Sequence, residues 1–78
     1  MMKMKWANEI TEAPALLAEY DAIFVRRSRM DNIFILVANE DVQKIFQQQA
    51  TCCLVGLYEG YPLLRSRAWD LFDRMARL

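Results

Sequence analysis

Apolar residues recur along most of this chain at three- and four-residue intervals, the spacing that lines one side of an α-helix. Ala13, Leu16, Leu17, Tyr20, Ile23 and Phe24 follow it behind a start signal at Thr11-Glu12-Ala13-Pro14. There a threonine can cap, an acid suits the positive end of the helix, and the proline comes early enough that no N–H is missed. Arg26, Arg27 and Arg29 cluster where the negative end of such a helix attracts cations. The spacing predicts a first helix over about 12–28.

The next stretch admits two readings. Ile33 to Ala38 is an unbroken apolar run that fits a buried strand or a buried short helix, and its β-branched residues favour strand. As a strand it pairs with Ala22 to Arg27 across a turn at Ser28 to Asp31, and the first helix shrinks to about 12–20. As a helix it keeps Leu16, Tyr20, Ile23, Met30, Phe34 and Val37 on one side, with Arg27 as the intruder. The helical reading leads.

Asn39-Glu40-Asp41 opens a second helix, with Val42, Ile45, Phe46, Ala50, Cys53 and Leu57 as its apolar stripe. Its second half, Cys52 to Tyr58, is apolar nearly all round and so needs neighbours on every side, one of them available from another subunit. Glu59-Gly60-Tyr61-Pro62 reads as a tight helix–helix connection. A last helix follows from about 62 to the C-terminus, with Leu64, Ala68, Leu71, Met75 and Leu78 as its stripe. The expectation is an all-α domain spanning 1–78, a small bundle of three to four helices, with residues 1–10 as an arm or a short strand. The alternative is an α+β fold with a β-hairpin at about 22–37.

Composition narrows the chemistry. The chain has 78 residues, 55% of them hydrophobic, with two glycines and two prolines, which describes one small folded domain. Ten Lys and Arg balance ten Asp and Glu, so no net field draws the chain to nucleic acid or anionic lipid. It has no histidine, which excludes a histidine base and any imidazole metal site within the chain. Cys52 and Cys53 are adjacent, a poor geometry for a disulfide, and read as two small buried side chains in a reducing compartment. The acid pairs Glu40-Asp41 and Asp70/Asp73 read as solvated, so neither is a general acid. No enzyme activity, cofactor or metal is expected. The apolar runs are too short for a bilayer and the N-terminus lacks a signal-peptide core, which points to a cytoplasmic protein.

Trp69, Phe72 and Ala76 extend the apolar arc of the last helix beyond its stripe, with Arg65 among them and Tyr61 at its start. Trp, Tyr, Phe and Arg are the types that anchor interfaces, and a chain this small has little interior to cover so wide an arc. The expected function is therefore a non-enzymatic protein-binding module: a small regulator, inhibitor or adaptor that occupies a partner's surface. It is expected to self-associate as a homodimer through the last helix and the Cys52–Tyr58 run. The alternative is a nucleic-acid-binding regulator that uses Arg26, Arg27 and Arg29.

Overall fold

The computed structural model describes residues 2–26 and 32–78. Strands, not helices, dominate it. β1 (Met4–Ala7), β2 (Ala22–Arg26), β3 (Ile33–Val37), β4 (Cys52–Tyr58) and β5 (Tyr61–Ser66) form one five-stranded sheet in the order β1-β2-β3-β5-β4. β1 runs parallel to β2, and every other neighbouring pair is antiparallel. The helices are short: α1 (Ala13–Leu16) behind a 3-10 turn at Ile10–Glu12, α2 (Glu40–Gln47) and α3 (Leu71–Ala76).

This overturns the all-α bundle. The helix expected over 12–28 does begin near Thr11, but α1 ends at Leu16. Ala22, Ile23, Phe24 and Val25 are all buried, which means burial on both faces of an inner strand. An inner strand covered on both sides is apolar without alternation, so Ile23 and Phe24 extend the helical period by coincidence. The α+β alternative holds instead. Ala22 pairs with Val37 and Arg26 with Ile33, making the hairpin at about 22–37. The turn expected at Ser28 to Asp31, and with it Arg27, Arg29 and Met30, falls outside the described residues.

The second helix starts where expected. Asn39 Oδ1 accepts a hydrogen bond from the Val42 N–H at 3.0 Å, capping α2, and Glu40 and Asp41 occupy the first turn. It stops at Gln47, and the apolar half expected to continue it is β4. Glu59 and Gly60 then join two strands, with φ of 52° and 82°. Two successive positive φ angles form the two-residue turn whose twist suits a β-hairpin. The helix expected from about 62 is strand β5 at first, with Pro62, Leu64 and Ser66 buried and Leu63 and Arg65 less so. That alternation has the period of two that a strand requires.

The sheet has two unequally covered faces. On the first, Phe24, Ile33, Ile35 and Leu64 pack beneath Val42 and Phe46 of α2 and Leu71 and Met75 of α3. On the second, Ala13 and Leu17 cover Ile23, Val25 and Leu36, while Phe34, Tyr58, Tyr61 and Leu63 are only partly buried. Among the described residues, no helix is long and apolar enough to cross a membrane.

Candidate functional site

The two outer strands of the sheet differ in kind. β1 has four residues, with Lys3 and Lys5 at its start, and both ammonium groups lie within 6 Å of the Tyr20 ring centre, at 5.9 and 5.7 Å. Short strands and lysine are the usual protection of a sheet edge. β4 has seven residues and no charge. Among the described residues it pairs only with β5, so one side of its backbone meets no described strand.

β4 also exposes its side chains. Leu54 is 46% exposed, Val55 50% and Leu57 72%. The register explains how they come together. Leu54 lies opposite Leu64 and Leu57 opposite Pro62, with an irregularity between Leu54 and Gly56 that inserts Val55. Leu64 and Pro62 are two apart on β5 and share its buried side, so Leu54 and Leu57 share a face although they are three apart. The helices cover that face over Cys52 and leave the two leucines open.

A recess of about 260 Å³ lies on the other face at the start of β4, lined by Thr51, Cys53, Arg65, Ser66 and Arg67. Arg65 stands directly across from Cys53. Ser66 Oγ donates to Thr51 Oγ1 at 3.2 Å and accepts from the Ala68 N–H at 3.1 Å, which ties the end of β5 to the start of β4. No carboxylate of the described residues lines the recess. Among the described residues the one ion pair joins Arg74 and Asp70 at 3.4 Å, so neither Arg65 nor Arg67 has an acid partner among them.

The cysteines were expected to be buried together, and the strand separates them. Neighbours on a strand point to opposite faces, so Cys52 is buried and Cys53 exposed, both as free thiols. Burial, with Cys53 adding to it, pushes the Cys52 thiol up to about 11.

The expected partner residues divide between the two faces. Phe72 is half-buried, stacked on Trp6 with ring centres 5.5 Å apart and edge-on to Phe24 at 5.0 Å. Trp69 is 45% exposed. The Arg26 guanidinium lies 5.1 Å from the Trp69 ring centre and 5.2 Å from that of Trp6, a cation–π arrangement with both indoles. Ala76 is exposed on α3. Tyr61 and Arg65 lie on the opposite face of the sheet, so the five residues form no single surface. Arg27 and Arg29 fall outside the described residues.

Leu54, Val55 and Leu57 were missed as surface residues. The available signal was a two-residue link ending in glycine between two apolar runs, which suits a hairpin as well as a helix end. A larger cavity of about 430 Å³ is lined by Ile10, Val25, Phe34 and Leu63 with the polar residues Asn8, Glu9 and Arg26. Among the described residues no group of His, Cys, Asp and Glu could hold a metal ion. Comparison with protein-family models, curated proteins and solved structures finds no match.

Proposed function

We propose that this chain is a protein-binding module that accepts an extended segment of another polypeptide as a sixth strand along β4. The supporting observation is the edge itself: seven uncharged residues with Leu54, Val55 and Leu57 exposed. An added strand pairs backbone groups that β5 leaves free and covers the leucines. Burying a leucine fully is worth about 1.5–3 kcal/mol, so two of them supply a useful part of a binding energy once ordering costs are met. A module of this kind acts as a regulator, inhibitor or adaptor by occupancy. The nucleic-acid alternative has weaker support, because Arg26 is engaged by two indoles and the net charge is zero.

The test compares proteins retained from a lysate of the source cells by the wild-type chain and by Leu54→Asp/Leu57→Lys. Far-ultraviolet circular dichroism verifies that the variant is folded. Proteins retained by the wild type and lost by the variant are the expected result. Equal retention by both would remove β4 as the binding element.

A further inference from the structure

We draw no further inference here: the strongest candidate, the apolar edge of β4 with Leu54, Val55 and Leu57 exposed, belongs to the site already described, and nothing in the structure shows what covers it.

Discussion

Lys3 and Asp21 exchange two hydrogen bonds: the Asp21 N–H donates to the Lys3 carbonyl at 2.7 Å, and the Lys3 N–H donates to Asp21 Oδ2 at 2.8 Å. They fasten the start of β1 to the start of β2, where the parallel ladder spans only four residue pairs. Asp21→Ala removes the charge-assisted acceptor and lowers stability by about 1 kcal/mol, a fall in Tm of roughly 4–8 °C for a domain of this size. Asp21→Asn retains an acceptor and loses less. Thermal unfolding followed by circular dichroism measures both.

Phe24 is the centre of the aromatic packing, with ring centres 5.3 Å from Trp6, 5.8 Å from Phe46 and 5.0 Å from Phe72. Phe24→Ala costs about 3–5 kcal/mol, comparable with the whole stability of a small domain. Urea titration will find this variant largely unfolded without denaturant. Phe72→Ala, at a half-buried position, costs less and leaves a folded chain.

Gly60, at φ of 82°, and Glu59 affect the same turn in opposite ways. Gly60→Ala forces a Cβ into the left-handed region and destabilises by about 1 kcal/mol. Glu59→Asn suits its backbone better and raises urea stability by a few tenths of a kcal/mol up to about 1.

The thiols will react in sequence. An aromatic disulfide reagent at neutral pH modifies Cys53 promptly and reaches Cys52 only in denaturant, because Cys52 is buried and its pKa is pushed up to about 11. The folded chain keeps this thiol protonated, whereas an unfolded one ionises near its ordinary value of 9.0. Its contribution to stability is thus complete below that value and is lost as pH rises through about 11. The Tm of wild type will fall more steeply across that interval than the Tm of Cys52→Ala.

Local signals were legible where they depend on a residue and its immediate neighbours. Asn39 marked the start of α2, and the pair at 59–60 marked a reversal of the chain. The kind of reversal was not legible, because a glycine with positive φ ends a helix and turns a hairpin equally well. Periodicity failed at Ala22–Val25 and Cys52–Tyr58 for different reasons. The first run is buried on both faces of an inner strand, and the second carries a bulge that brings residues three apart onto one face, as a helix does. The surplus of apolar surface in Cys52–Tyr58 was readable, and the structure turns it into an edge. The wide arc around Phe72 was misjudged in part, since Trp6, far away in sequence, stacks on it.

The lysine-guarded first strand limits what the β4 rim can produce. A sheet with two sticky rims can recruit copies without end, the route to fibres, but here the opposite rim is short and carries Lys3 and Lys5. Under the proposed reading, a segment that joins at β4 covers the one unguarded sheet edge among the described residues. A chain with one such edge stops after a single joining event, so the proposed reading implies a finite complex instead of a polymer.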